Sequence, residues 1–420
     1  MRPSGRTTMS LGCRVEPGGP HLAGWRHPRA DTRAGLDFAQ LVETARWCEQ
    51  AGLDALFVPD SLAAWAGDPD VASRTVRGAR FEPTTLLAAL SSVTERIGLV
   101  ATASAAYNHP YLVARKYASL DHISHGRVGW NVESGQVPAE ARSFGEGPFP
   151  FRGGRYDRAA EFVGVVRSLW DSYSDEAMVR DRESGRYYDP GELHLTEHRG
   201  ENFAVRGPLN ISRPPQGHPV VFHAEDAPGA RDFAARQADV VVVDRRDPAE
   251  ARAAYRDLKD RAAAVGRDPG HVVVWRRLGL LPAATQEAAD AQRDELDGLL
   301  HDDVLWQVLR DTLPAADLVG RSLDDPLPQG RTLRESAREA AGGGVVPGSP
   351  ERIADVLQEA FEQEGADGFL LCFPPLPGAL RVFVDEVVPE LRRRGLYRTD
   401  RTGRTLRENL GLPRPKEVWR

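Results

Sequence analysis

Polar side chains stand where several short apolar runs of the sequence end. Asp60 closes the run DALFVPD, Thr102 lies late in RIGLVATAS, and Asn131 lies late in GRVGWNVES. His223 to Asp226 and Asp244 follow two further runs in the same way. These hydroxyl, amide and carboxylate groups suit a heteroaromatic ligand that carries a phosphate, and no nucleophile–base pair stands among them. Such a set predicts that a bound cofactor performs the chemistry, although each residue could instead cap the helix that follows it.

The sequence lacks the common short signatures of nucleotide binding, hydrolysis and metal binding. No G-x-G-x-x-G follows a predicted strand, and G-x-x-x-x-G-K-[ST], H-E-x-x-H and G-x-S-x-G do not occur. His109, His122 and His125 are close in sequence, but a proline follows the first and the other two flank a predicted helix end. Caps and turns therefore fit them better than metal ligation. We predict no metal site and assign no residue as general acid or base.

Eight apolar runs that alternate with helical patterns must position these residues. Near-continuous apolar strands between amphipathic helices are typical of a parallel sheet covered by helices. Eight such units predict an α/β fold, a TIM-type (β/α)8 barrel, in which the carboxyl ends of the strands gather the site. The runs are SLGCRV, DALFVPD, RIGLVATAS, GRVGWNVES, PVVFHA, DVVVVD, HVVVWRRLGLLP and DGFLLCF.

Two long segments interrupt this alternation. We predict a single barrel domain over residues 1–420, with insertion segments near 171–218 and 300–348 and a C-terminal tail at 395–420. Long insertions more often form lids or binding loops than idle linkers, and we expect lids from 300–348 and from a hairpin around 187–202. The Arg-rich tail is expected to wrap the barrel or an oligomer partner.

The amino-acid composition argues against several kinds of binding partner and cellular location. A formal net charge of −7 argues against a nucleic-acid-binding protein, which normally has a basic face. The three cysteines are far apart, which predicts a reduced protein without disulfides or a thiolate metal site. The first residues lack the apolar core of a signal peptide, and no apolar run is long enough to cross a bilayer. We expect a cytoplasmic protein with no membrane or nucleic-acid partner.

A series of ordered motifs resembles one enzyme family over nearly the whole chain. The motifs are WRHPRAD, LDALFVPDSLA, FEPTTLLAALSSVTERIGLVATAS, YNHPYLVARKYASLDHISHGRVGWNV, GRYDRAAEF, LWDSY, GPLNISRPPQGHPV, GSPERIADVL, DGFLL, VVPELRRRGLYR and TLRENLGLPRP. Together they resemble the nitrilotriacetate / dibenzothiophene-sulfone monooxygenase group of the bacterial-luciferase-like superfamily. The resemblance implies a barrel that uses reduced FMN from a separate flavin reductase, together with O₂, to oxygenate a small organic substrate. It also favours a homo-oligomer.

The resemblance assigns the flavin contacts to particular positions of this chain. Asp60, Thr102 and Tyr156 have the residue type that the family uses at these positions. Arg152, in contrast, stands where the family usually has His, and Ala227 stands where a Ser holds the flavin phosphate. The predicted cofactor-binding residues are Asp60, Thr102, Arg152, Tyr156 and Ala227.

The stretch PVVFHAEDAPG places two carboxylates at the start of a predicted helix, a position that otherwise attracts anions. One of them, Glu225, replaces a family Gly. A carboxylate about 4 Å from the phosphate would cost on the order of 4 kcal/mol, or roughly a thousandfold in affinity. Arg152 could offset this cost with a bidentate guanidinium, and Arg155 and Arg231 are further candidates. Either Arg152 carries the phosphate, or it pairs with Glu225 or Asp226 and closes the site.

Three functions follow from these residues. Retention of Asp60, Thr102 and Tyr156 favours a flavin-dependent monooxygenase with an altered phosphate site. The HAEDA loop favours a catalytically silent family member that acts as a partner subunit or binding module. A deazaflavin-dependent oxidoreductase is the third possibility, because related barrels bind that cofactor, but no motif favours it. The sequence does not identify the substrate.

Overall fold

The computed structural model describes residues 6–63, 68–135, 138–145, 154–224, 229–328, 330–363, 365–400 and 403–419. Eleven β-strands lie within these residues. They are β1 (Ser10–Arg14), β2 (Ala55–Val58), β3 (Gly98–Ser104), β4 (Val128–Glu133), β5 (His198–Arg199), β6 (Ala204–Val205), β7 (Val220–His223), β8 (Val240–Val243), β9 (Val273–Pro282), β10 (Val346–Gly348) and β11 (Gly368–Cys372).

Eight of these strands form a closed barrel in which all pairs are parallel. They pair in the order β1, β2, β3, β4, β7, β8, β9 and β11, and β11 pairs with β1 again. Each of the eight lies inside one of the apolar runs, so the predicted α/β fold, a TIM-type barrel, is confirmed. β10 adds to the sheet beside β9, whereas β5 and β6 form a separate antiparallel hairpin.

Helices cover the outside of the barrel, and most begin at a capping side chain. Asp37, Glu82 and Asp247 each accept a hydrogen bond from a backbone N–H in the first turn of the helix that follows. These N–H groups have no hydrogen-bond partner inside the helix, so the cap satisfies them. In the described part of the chain, none of the helices has the length and hydropathy that crossing a bilayer requires. The helices are α1 (Phe38–Gln50), α2 (Pro69–Ala72), α3 (Pro83–Ser91), α4 (Pro110–Ile123), α5 (Pro138–Ala141), α6 (Arg155–Trp170), α7 (Ala230–Gln237), α8 (Pro248–Ala264), α9 (Gln286–Gly298), α10 (Asp302–Thr312), α11 (Leu333–Ala341), α12 (Pro350–Glu362), α13 (Gly378–Val382), a π-helical segment (Phe383–Val387), α14 (Val388–Arg393) and α15 (Leu406–Asn409).

Large aromatic side chains fill the inside of the barrel. The rings of Phe222 and Trp275 meet edge to face with centroids 5.5 Å apart, and both side chains are fully buried. Glycines on neighbouring strands make room for them: a Cβ on Gly12 would overlap the Trp275 ring, and one on Gly129 would come within 2.8 Å of Phe222. Because the interior is packed, a ligand of this barrel has to bind at the mouth.

The C-terminal tail closes the opposite end of the barrel. Leu406 and Leu410 on α15 are buried in the same cluster as Phe222 and Trp275. Leu406 lies against Gly98 at the start of β3, which places the tail at the amino ends of the strands. Of the two predicted roles of the tail, the structure shows the one in which it packs on the barrel.

The two insertion segments lie in different places. In the first, the β5–β6 hairpin is held to the flank of the barrel by Glu161 of α6, which bonds His198 Nε2 at 2.9 Å and the Asn202 backbone N–H at 2.9 Å. In the second, α10 packs on α11 through buried residues that include Leu305 and Leu333. Residues of the second segment line the cavity at the mouth of the barrel, whereas residues 187–202 do not. The lid roles of both segments stay predictions.

The tail contact gives a direct test of the fold. Leu410→Ala should lower the free energy of unfolding by about 2–5 kcal/mol, because it leaves a cavity beneath the packed barrel. Leu112→Ala, on an exposed face of α4, is the matched control and should change it by less than about 0.5 kcal/mol. Urea unfolding followed by circular dichroism measures both. Equal effects of the two substitutions would show that the tail does not support the barrel.

Candidate active site

A large cavity opens at the carboxyl ends of the barrel strands. Its volume is about 1560 Å³. Side chains at the ends of four strands and one from the middle of β9 line it, and residues of α10 and α11 form part of its wall. The strand-end residues are Arg14, Asp60, Asp244 and Cys372, and the β9 residue is Arg277. Enzymes built on this kind of barrel have their active sites at this end, so the cavity is the candidate active site.

Asp60 lies half-buried in the loop after β2 and accepts a hydrogen bond from the Ser61 N–H at 2.9 Å. Burial raises the pKa of Asp60 to about 6, against the opposing effects of the Ser61 hydrogen bond and the Arg80 charge. Glu140 of α5, which is fully buried, fixes the same loop by accepting from the Leu62 N–H at 2.9 Å. Sequence reasoning missed Glu140, because a single Glu in a short polar segment gives no signal of burial.

Thr102 and Asn131 form a buried pair on adjacent strands. The Thr102 hydroxyl donates to the Val58 carbonyl at 3.0 Å, so its oxygen can only accept from Asn131 Nδ2, which lies 3.1 Å away. This fixes the orientation of the amide. The Asn131 Oδ1 atom is then buried and accepts no hydrogen bond from the described residues. A buried acceptor in this state points to a donor supplied by a ligand or water.

Tyr156 lies in the first turn of α6, where it packs against the carboxyl end of β7. Its ring meets the His223 ring edge to face with centroids 6.3 Å apart and lies 5.9 Å from the Phe233 ring. Arg155 donates to the Tyr156 hydroxyl at 3.0 Å, and its guanidinium lies 4.8 Å from the centre of the tyrosine ring. A phenol and a cation are therefore held together beside the start of two helices.

Those two helices, α6 and α7, begin without capping side chains. Their N-cap residues are Gly154 and Gly229, whereas most other helices of the barrel have a side-chain cap. Gly229 has a φ of 85°, and a Cβ there would come within 2.9 Å of the Tyr156 ring. Neither N-cap residue therefore offers a side chain to the first-turn N–H groups, which lie beside Tyr156. Helix N-termini of this kind bind phosphate, because the N–H groups and the helix dipole both attract anions.

Part of the predicted phosphate loop lies outside the described residues. This applies to Arg152, Ala227 and the two carboxylates Glu225 and Asp226, so their roles stay predictions. Of the other two guanidiniums considered for the phosphate, Arg155 reaches Tyr156, as described above. Arg231 instead donates to Asp257 of α8 at 3.1 Å.

Trp130 and His109 could have belonged to the site by their residue type, but both have structural roles. Trp130 is fully buried, with its ring 5.9 Å from Phe162 and 6.3 Å from Trp170, and belongs to the core. His109 caps α4, as predicted, by accepting from the Tyr111 N–H. Within the described residues, no group of three or more His, Cys, Asp or Glu side chains could hold a metal ion.

A closed barrel of eight parallel strands covered by helices defines a TIM-barrel protein. Residues 21–368 match the family model described as luciferase-like monooxygenase. The chain is 40% identical to nitrilotriacetate monooxygenase component A of Aminobacter aminovorans, covering 97% of each chain. It is 36% identical to dibenzothiophene-sulfone monooxygenase of Rhodococcus erythropolis, covering 93% of each. The solved structure of a long-chain alkane monooxygenase superposes with a TM-score of 0.86 at 30% identity, covering 96% of this chain and 95% of that one.

The chain therefore belongs to the luciferase-like monooxygenase family. The predicted family and the predicted class of enzyme, a monooxygenase, are confirmed.

Asp60 gives a test of the electrostatics of the mouth. Its pKa is about 6 in the folded protein and near 3.8 when exposed. As the pH rises between these values, Asp60 ionises more readily in the unfolded chain, which lowers the free energy of unfolding. Above about pH 6 this loss of stability is complete. Asp60→Asn should therefore stabilise the protein at about pH 8 by on the order of 1 kcal/mol, allowing for solvent screening, and change little at about pH 4.

Urea unfolding at the two pH values measures this difference. The exposed Asp260→Asn on α8 is the matched control and should show no comparable dependence on pH. The same stability change at both pH values for Asp60→Asn would contradict the raised pKa.

Proposed function

We propose that the protein is a flavin-dependent monooxygenase that uses reduced FMN and O₂ to oxygenate a small organic molecule. A separate flavin reductase supplies the reduced FMN, by diffusion of the flavin or by contact. Family membership supports this function, and a relative that matches over nearly its whole length is itself named as component A of its system. The observation that carries the proposal is the convergence of two helices without side-chain caps beside Tyr156.

The groups beside β3 and β4 fit the ring of a flavin. The ring presents an N–H donor between two carbonyl groups, and Asn131 Oδ1 is a buried acceptor that no described residue uses. Thr102 would keep this amide in the accepting orientation, since its own hydrogen bond to Val58 leaves no alternative. Asp60, on the adjacent strand end, would contact the same ring. Thr102 then acts by positioning Asn131 as well as by lying beside the flavin.

The groups beside α6 and α7 fit the phosphate of FMN. The first-turn N–H groups of both helices, the Tyr156 hydroxyl and the Arg155 guanidinium would hold it. Arg152 and Ala227 complete the proposed set, with Arg152 offsetting the carboxylates of the neighbouring loop. The backbone N–H groups can replace the missing serine hydroxyl, because they donate to the same phosphate oxygens.

Bound reduced FMN would supply the electrons that activate O₂. The chain itself binds and orients the flavin and its substrate, and it excludes water from them. The α10–α11 segment forms a wall of the cavity and is the part of the chain placed to do this. The Asp60 carboxyl changes charge near pH 6, so flavin binding should respond to pH in that range.

The phosphate site can be tested by comparing FMN with riboflavin, which lacks the phosphate. Gly229→Ala places a Cβ against the Tyr156 ring and should weaken FMN binding at least tenfold, with a smaller effect on riboflavin. Gly266→Ala is the matched control, because Gly266 has a similar φ of 77° but no neighbour within 4 Å. Anaerobic titration of the reduced flavins, followed by absorbance or calorimetry, gives the affinities.

A substitution beside the proposed flavin-ring site should instead affect the affinities for FMN and riboflavin equally. Asn131→Leu should weaken FMN and riboflavin by the same factor, roughly tenfold, because it removes a hydrogen-bond acceptor for the ring and leaves the phosphate untouched. An absence of saturable binding of reduced FMN by the wild type at high micromolar flavin would overturn the proposed function. It would favour the catalytically silent alternative instead.

A further inference from the structure

We propose that Glu140 is a positioning residue of the active site, which acts through Asp60 and makes that side chain receive the flavin ring as a neutral carboxyl group that donates a hydrogen bond. This inference rests on the proposed function, because the ligand of Asp60 is the flavin of that proposal. Glu140 lies on α5, after β4, and reaches the loop after β2. Asp60 lines the cavity, whereas Glu140 does not.

One carboxyl oxygen of Glu140 holds the loop on which Asp60 lies. Glu140 Oε1 accepts a hydrogen bond from the Leu62 N–H at 2.9 Å and one from the Ser61 hydroxyl at 3.3 Å. The Ser61 N–H in turn donates to Asp60 Oδ1 at 2.9 Å. Ser61 therefore connects the two carboxyl groups, of which Asp60 faces the cavity and Glu140 is fully buried.

Aromatic stacking holds α5 in this position. Phe144, in the turn that follows α5, stacks on Tyr107 with ring centroids 4.6 Å apart and an angle of 15° between the ring planes. Tyr107 follows β3, so the segment that carries Glu140 contacts the loops after both β2 and β3. Glu140 is thus placed by the packing of its segment as well as by its own hydrogen bonds.

The second carboxyl oxygen of Glu140 distinguishes it from the other fully buried carboxylates. Oε2 is buried and accepts no hydrogen bond from the described residues, a state that costs free energy unless it serves a purpose. Elsewhere in the described chain such carboxylates pair with a cation or have donors for both oxygens. These are Asp54 with Arg398, Asp171 with Arg213, Asp367 with Lys259, and Asp121 with Gln216 and the Val128 N–H.

The loop after β2 does not need a charged residue at position 140. The oxygen of a glutamine amide can accept the same two hydrogen bonds. What the carboxylate adds is a negative charge beside Asp60 and Tyr107. Burial raises the pKa of Asp60 to about 6 and the pKa of Tyr107 above its usual value, and the Glu140 charge acts in the same direction on both.

The other ionisable groups that face Asp60 do not cancel this effect. Arg80 lowers the pKa of Asp60, and Glu82 raises it. Tyr117 of α4 stays neutral, because burial raises its own pKa well above the usual value. The balance therefore favours the protonated form of Asp60.

A bound flavin ring would strengthen this preference. It would displace water from the exposed part of Asp60, and a carboxylate that loses water beside a second negative charge is costly. A neutral carboxyl can donate to a nitrogen or carbonyl group of the ring, whereas a carboxylate can only accept. Asp60 would therefore take up a proton when the flavin binds.

Proton uptake on flavin binding tests this proposal on the full chain. Reduced riboflavin is titrated anaerobically at pH 7 by calorimetry, in buffers of different ionisation enthalpy, since it lacks the phosphate that would itself titrate. The wild type should take up more protons than Asp60→Asn, by about half a proton or more. Glu140→Gln, which keeps an oxygen for Leu62 and removes the charge, should reduce this difference at least twofold.

Two further variants separate the charge of Glu140 from its contacts. Ser61→Ala removes the hydroxyl contact but neither carboxyl group, so it should keep the proton uptake of the wild type. Glu386→Gln, on the exposed side of the π-helical segment, is the matched control and should also keep it. In the Asp60→Asn background, Glu140→Gln should cause no further change, because Glu140 acts through Asp60.

Urea unfolding measures the same coupling without flavin. The stabilising effect of Asp60→Asn at about pH 8 should be smaller in the Glu140→Gln background, because Asp60 then ionises more easily in the folded protein. An unchanged effect would overturn the proposal. Equal proton uptake by the wild type and Glu140→Gln, or equal losses in Glu140→Gln and Ser61→Ala, would do so as well.

The failure of this inference and the failure of the proposed function are distinguishable. No saturable binding of reduced FMN or riboflavin by the wild type would refute the proposed function, while the unfolding experiment still reports on the two carboxyl groups. Normal flavin binding without a role of Glu140 in proton uptake would refute this inference alone.

Discussion

The packed interior of the barrel is the constraint on which the rest of the structure depends. Phe222 and Trp275 occupy the space between the strands, and α15 closes the amino ends, so no ligand can enter from that side. Parallel pairing brings all the carboxyl ends together at the other side. Asp60, Thr102, Asn131 and His223, which are far apart in sequence, come to lie at or near the same ends of neighbouring strands for this reason.

Electrostatics divides that mouth into sectors. Beside α6 and α7, the proposed phosphate site would attract an anion through the backbone of two helix N-termini and through the Arg155 guanidinium. The Thr102–Asn131 pair on β3 and β4 is neutral and suits a ring rather than a charge.

The sequence predicted the parts of this arrangement that depend on local pattern. All eight barrel strands follow from apolar runs, because strands buried on both faces have a signal that short helices and loops lack. Asp60 and Thr102 were found because they end such runs, and Tyr156 because its motif resembles a family. The capping role of His109 followed from the proline after it.

Features that depend on contacts between distant segments could not be predicted. Glu140 supports the loop after β2 from 78 positions away. The free acceptor of Asn131 is visible only once Thr102 and Val58 are placed. The attachment of the hairpin near 187–202 to Glu161 of α6 also depends on such a contact.

The central claim is that the uncapped starts of α6 and α7 receive the phosphate of FMN. A crystal structure of the protein with FMN tests it most directly. The predicted result is phosphate density beside Tyr156 and Gly229, with the ring next to Asn131. Phosphate density elsewhere in the barrel mouth, or Arg152 bonded to Glu225 or Asp226 with no density between the two helices, would contradict the claim.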